Sequence, residues 1–99
     1  TFEKDTRDPT LIFEVFEKIL AEVYQELIEN NFLFKTIVVI CRYYDFETHS
    51  KSKTIEPASQ NFQILKKEAK KILLKFILES KKPIRLIGLR VIVISKNLH

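Results

Sequence analysis

The apolar positions change period along the chain, and each change marks an element. Ile12, Phe16, Ile19, Leu20, Val23 and Leu27 recur at three- and four-residue spacing. That is one face of an amphipathic helix of roughly six turns over Pro9 to Asn30. Asp8-Pro9 predicts its start, an aspartate to cap the free amides and a proline at the first helical position. From Lys35 to Asp45 the pattern turns β-branched and continuous, Ile37-Val38-Val39-Ile40-Cys41, which predicts a central strand with a turn at Asp45-Phe46-Glu47. Thr48 to Ile55 then alternates, with His49, Lys51, Lys53 and Ile55 on one side and Ser50, Ser52 and Thr54 on the other. This is a second strand, paired to the first as a hairpin. Pro57 is expected to break the chain. Phe62, Leu65, Ala69, Ile72, Leu73 and Phe76 predict a second amphipathic helix, with Lys67, Lys71 and Lys75 on its wet side and Lys82-Pro83 as its stop. Ile84 to Ser95 reads as the closing strand.

With Thr1 to Thr6 taken as the tail of a strand, the order is β-α-β-β-α-β. It predicts an α+β fold: a four-stranded antiparallel sheet with two helices on one face, the ferredoxin-like split βαβ plan. Residues 1–99 are expected to form a single domain, without repeats or internal linkers.

Such a sheet keeps one face open, and parity names its residues. If Ile37, Val39 and Cys41 face the helices, Thr36, Val38, Ile40, Arg42 and Tyr44 face out. In the last strand Ile87, Leu89, Val91 and Val93 suit the core, leaving Leu86, Gly88, Arg90 and Ile92 outward. Lys51 and Lys53 are expected on the adjoining hairpin strand. Gly88 is the one glycine of the chain, and beside Arg90 its bare backbone would let a long, flat partner come close. Short residues interleaved with arginine and lysine suit a phosphate backbone.

Charge sharpens this picture. The net charge is only +4, yet Pro9 to Asn30 carries five glutamates against one lysine, so the rest of the chain holds about +8. From Lys81 onward there are five basic residues and no acid. A hydrophobic content of 45% with 30% charged residues excludes the compositions of disordered chains and membrane spans. Neither a basic n-region nor an apolar h-region opens the sequence, and the lone Cys41 cannot form an internal disulfide, so a reducing, cytoplasmic home is expected. Cys41 alternates with Ile37 and Val39 and reads as a small core filler. The absence of methionine predicts a piece of a longer protein.

Catalytic chemistry does not assemble. There is no close carboxylate pair outside the helix faces and no glycine-rich phosphate loop, and His49 and His99 have no companions at metal-ligand spacing, so neither an enzyme nor a metal site is expected. RNA-recognition domains share the plan but place stacking aromatics on their third strand, where this chain has His-Ser-Lys-Ser-Lys-Thr. Tyr43 and Tyr44 read as strand aromatics before stacking platforms. A stand-alone ferredoxin-like interaction or regulatory module is the alternative. It leaves the clustering of Lys51, Lys53, Arg85 and Arg90 unexplained.

Three segments carry a resemblance over nearly the whole chain: Thr1-Phe2-Glu3-Lys4-Asp5-Thr6-Arg7-Asp8, Ser50-Lys51-Ser52-Lys53-Thr54 and Ile84-Arg85-Leu86-Ile87-Gly88-Leu89-Arg90. The sequence resembles the little finger, or polymerase-associated, domain of Y-family translesion DNA polymerases, particularly the archaeal DNA polymerase IV type. The resemblance implies a non-catalytic DNA-binding domain, supporting lesion bypass, tethered to a palm, fingers and thumb that are not in this chain. Magnesium would be held in the palm of the parent, a DNA-directed DNA polymerase. It implies as partners primer-template DNA, gripped by its backbone without sequence preference, the rest of the polymerase chain and a sliding clamp, in the nucleoid. The positions it implies for DNA contact are Thr1, Ser50, Lys51, Lys53, Arg85 and Arg90, while Leu86 stands where relatives can carry a second arginine.

Overall fold

The computed structural model describes residues 4–95. In chain order these form α1 (Pro9–Glu29), β1 (Phe32–Tyr43), β2 (Thr48–Ser59), α2 (Phe62–Glu79) and β3 (Ile84–Ser95). Asp8 caps α1, its Oδ1 accepting from the Thr10 amide at 3.0 Å, with Pro9 opening the helix as expected. At the far end Asn31 turns left-handed at φ 57°, a conformation asparagine tolerates, and swings the chain into β1. Asn61 caps α2 by accepting from the amides of Gln63 and Ile64 at 2.8 and 3.3 Å.

The expected four-stranded sheet is corrected here. The described residues form a three-stranded antiparallel sheet in the order β2-β1-β3. Of the strand foreseen at Thr1 to Thr6, one bridge is present: Thr6 and Ile84 exchange backbone hydrogen bonds of 3.0 and 2.7 Å. Beyond Thr6 the pairing ends because the chain turns at once into α1, and Lys4 and Asp5, the two described residues before it, form no strand. The Thr6 hydroxyl accepts from the Asp8 amide at 3.0 Å, bending the backbone away from β3. Thr1 lies outside the described residues.

Pro57 does not end the second strand either. β2 continues to Ser59, because an edge strand can absorb proline where its ladder is already irregular. Thr54 pairs with Thr36 and Ser59 with Phe34, so residues 55–58 bulge opposite Lys35 alone.

Both helices cover the same side of the sheet. Phe16, Ile12 and Leu20 of α1 and Leu65, Ala69 and Leu73 of α2 are essentially sealed from solvent against Ile37, Val39 and Cys41 of β1. Cys41 is fully buried, and burial pushes its thiol up to about 11. The other side of the sheet is uncovered by either helix.

Candidate nucleic-acid interface

Directly opposite residues of an antiparallel pair point to the same side, so the register assigns the open face row by row. Thr48, Arg42 and Leu86 form one row; Ser50, Ile40 and Gly88 the next; then Ser52, Val38 and Arg90; then Thr54, Thr36 and Ile92. No position in these four rows is acidic. Down β2 the face is therefore a line of hydroxyls, down β1 an apolar pair, Val38 and Ile40, between Thr36 and Arg42, and down β3 Gly88 and Arg90 between Leu86 and Ile92.

The outward set foreseen on β1 and β3 holds for Thr36, Val38, Ile40, Arg42, Leu86, Gly88, Arg90 and Ile92. Arg90 is exposed and has no hydrogen-bond or ion-pair partner among the described residues. Arg42 is steadied by donating from Nε to Thr48 Oγ1 at 3.0 Å, and the Thr36 and Thr54 hydroxyls meet at 3.0 Å. Gly88 has no positive φ, and a Cβ placed on it would meet only the Ile40 side chain, at 3.8 and 3.9 Å. The fold itself does not require glycine there.

Arg85 reaches the same face by a different route. Strict alternation from Ile87 would turn it toward the helices, but the register shifts between Arg42 and Tyr43. Arg42 pairs with Leu86 and Tyr43 with Ile84, so Arg85 and Leu86 together oppose one residue. The bulge buries Ile84 against the core and turns Arg85 out beside Leu86. Its Nη2 donates to Asp5 Oδ2 at 3.3 Å, and its guanidinium carbon lies 4.4 Å from the centre of the Phe46 ring.

Ser50 stands on the open face, but Lys51 and Lys53 do not. They pair with Val39 and Ile37 and so project on the helix side of β2. Lys51 Nζ meets Glu79 of α2 at 2.8 Å and sits 5.4 Å from the centre of the Phe76 ring. Lys53 has no such tie among the described residues and shares a groove between β2 and α2 with Lys71 and Lys75. β2 is nevertheless an edge strand, with every second backbone amide outside the ladder. Its free edge is thus lined by hydroxyls on one side and lysines on the other.

Sequence reasoning named Ser50 but passed over Ser52, Thr48 and Thr54 as contacts, and placed Arg42 on the open face without naming it as one. The alternation already set Ser50, Ser52 and Thr54 on the face opposite the lysines, and the pairing with β1 then shows that the serine side is the open one.

A model of the impB/mucB/samB family C-terminal domain matches residues 1–97. The chain belongs to that family. This is the little finger domain of Y-family polymerases, in agreement with the resemblance read from the three segments. DNA polymerase IV of Methanoculleus marisnigri is 32% identical over 90 residues, covering 91% of this chain and 24% of that protein. DNA polymerase IV 2 of Methanosarcina mazei is 31% identical over 91 residues, 92% of this chain and 24% of the relative. The chain thus spans about a quarter of the length of these relatives. Among solved structures, a post-insertion binary complex of Dbh DNA polymerase is similar with a TM-score of 0.79 at 25% identity, over 92% of this chain and 26% of that one. A complex of the beta-clamp processivity factor and the little finger domain of PolIV gives 0.77 at 17% identity, over 100% of this chain and 87% of that one, a likeness of fold.

Proposed function

We propose that this domain grips template-primer DNA by its backbone for a translesion polymerase whose catalytic parts lie elsewhere in the parent protein. The observation that carries the reading is the open face itself. Arg42, Arg90 and the hydroxyls of Thr48, Ser50, Ser52 and Thr54 stand there, with Arg85 at one end and no acid among the four rows. Arginines and hydroxyls donate to phosphate oxygens, and a bare Gly88 lets the strand of nucleic acid settle close. Lys53 and the free amides of β2 extend the grip around the sheet edge. Thr1 belongs to the same set by family likeness.

No asparagine or glutamine stands in these rows to read an adenine edge, and arginines and hydroxyls spent on phosphates hold DNA without selecting a sequence. A translocating polymerase needs that indifference. Nucleotidyl transfer, with its magnesium, is then the work of the palm, and this domain supplies residence on the substrate. The beta-clamp complex formed by a little finger domain of similar fold supports a sliding clamp as a second partner for the parent.

Fluorescence anisotropy with two unrelated duplexes at two salt concentrations tests the reading. Both duplexes are expected to bind alike, with dissociation constants on the order of 10⁻⁴ to 10⁻⁶ M at physiological salt. Arg90→Ala is expected to leave stability within about 0.5 kcal/mol while reducing the salt slope by about one. Strong preference for one duplex would overturn the backbone grip, and binding indifferent to salt and to Arg90 would instead favour a protein-interaction module.

A further inference from the structure

The turn between β1 and β2 holds an oddity that phosphate contact alone leaves unexplained. Phe46 N–H donates to Tyr43 C=O at 2.9 Å, and Tyr43 N–H donates to Glu47 C=O at 2.9 Å. This is the three-residue hairpin loop whose last position turns left-handed and is ordinarily glycine. Here that position is Phe46, at φ 67°. A bulky side chain is disfavoured there relative to glycine or asparagine. The ring gains no burial in return, for Phe46 is 65% exposed. A residue that is both strained and unburied is retained for what its side chain touches.

What it touches is Arg85. The guanidinium lies over the ring at 4.4 Å, Asp5 takes one donor of Nη2, and Nε is buried without a partner. Packed stem, ring and carboxylate together leave only the outer nitrogens available. We infer that Phe46 is a positioning residue: its ring holds the Arg85 guanidinium flat at the end of the open face, in place for a phosphate before DNA arrives. An arginine held this way loses less rotamer freedom on binding than one free in solvent. The inference rests on the reading of the open face as the DNA surface.

A double-mutant cycle on duplex binding tests it, using Phe46→Asn, Arg85→Ala and the pair, with thermal melts on each. Asparagine suits the left-handed backbone, so Phe46→Asn is expected to melt no lower than the parent chain. It is expected to bind DNA about two- to fivefold more weakly, the worth of an exposed cation–ring contact. In the Arg85→Ala background the same change is expected to do nothing further, and Phe46→Tyr is expected to restore affinity. Phe46→Gly repeats the test if the asparagine variant folds poorly. Undiminished binding in both the asparagine and glycine variants overturns the inference, and so does a loss that persists without Arg85, which would mean that the ring itself meets DNA. If Arg85→Ala binds normally while Arg90→Ala is weakened, the inference falls and the open-face reading stands. If neither arginine matters, that reading falls with it.

Discussion

Gly88 on β3 lies directly across from Ile40 on β1, and a Cβ added to it would rest 3.8 Å from the Ile40 Cβ, an ordinary contact. No positive φ and no crowding within the domain demand glycine at this place. Glycine in a strand interior costs about 0.5–1 kcal/mol relative to alanine. The space left at this position suits a partner that approaches the sheet closely.

Gly88→Ala is therefore expected to raise stability by up to about 1 kcal/mol and at the same time weaken DNA binding. Denaturant melts and anisotropy on the same samples check both. A substitution that stabilises the domain and leaves affinity intact would remove Gly88 from the interface. One that unfolds it would contradict the placement opposite Ile40.

Lys51 and Lys53, alike in sequence, are expected to separate in experiment. Lys51 is tied to Glu79 and lies beside the Phe76 ring, whereas Lys53 is untied among the described residues. Lys51→Ala is expected to cost about 0.5–1 kcal/mol of stability, the range of a partly exposed pair with a ring contact, and Lys53→Ala nothing measurable. In DNA binding the order reverses. Lys53→Ala is expected to flatten the salt slope by about one, and Lys51→Ala by less because its charge already has a partner. Equal effects of the two on both measurements would show that the contact with α2 is not maintained in solution.

These lysines also mark where the sequence stops being legible. Periodicity located α1, β1, α2 and β3 to within a few residues, because a buried stripe at period 3.6 or 2 leaves little freedom in where an element can lie. The outward residues of β1 and β3 followed from the same alternation. Register did not follow. The side to which Lys51 points depends on which residue of β1 it faces, and only the pairing with Val39 decides it. The bulge that turns Arg85 outward needs one extra residue and has no compositional mark of its own. Pro57 misled for a related reason: proline forbids a ladder bond, yet an irregular edge strand offers a position where none is made. The fourth strand was read from six residues, of which Lys4 to Thr6 are described; these make one bridge, at Thr6, before the Thr6–Asp8 turn carries the chain into α1.

The last expectation concerns the clasp that holds the β1–β2 turn to the start of β3. Lys82 Nζ donates to Asp45 Oδ2 at 2.8 Å and also meets Glu47 Oε2. The Lys82 ammonium holds the Asp45 carboxyl below its ordinary value of 3.8, and the two carboxylates hold Lys82 above its ordinary value of 10.5. A carboxyl whose pKa falls on folding stabilises the fold above its unfolded value and loses that contribution as pH falls through the folded one. An ammonium whose pKa rises stabilises below its unfolded value and loses the contribution as pH climbs through the folded one. The contribution of the clasp is thus full between about pH 4 and pH 10 and declines on either side, as pH falls through the lowered Asp45 value or climbs through the raised Lys82 value. Comparing Lys82→Ala with the parent chain in denaturant melts across that range checks it. The gap between them is expected to be small, since all three groups are at the surface, to be flat near neutrality, and to close toward pH 3. High salt is expected to shrink it at every pH. A gap that persists undiminished at pH 3 would mean that Lys82 stabilises the turn by packing its stem and not by charge.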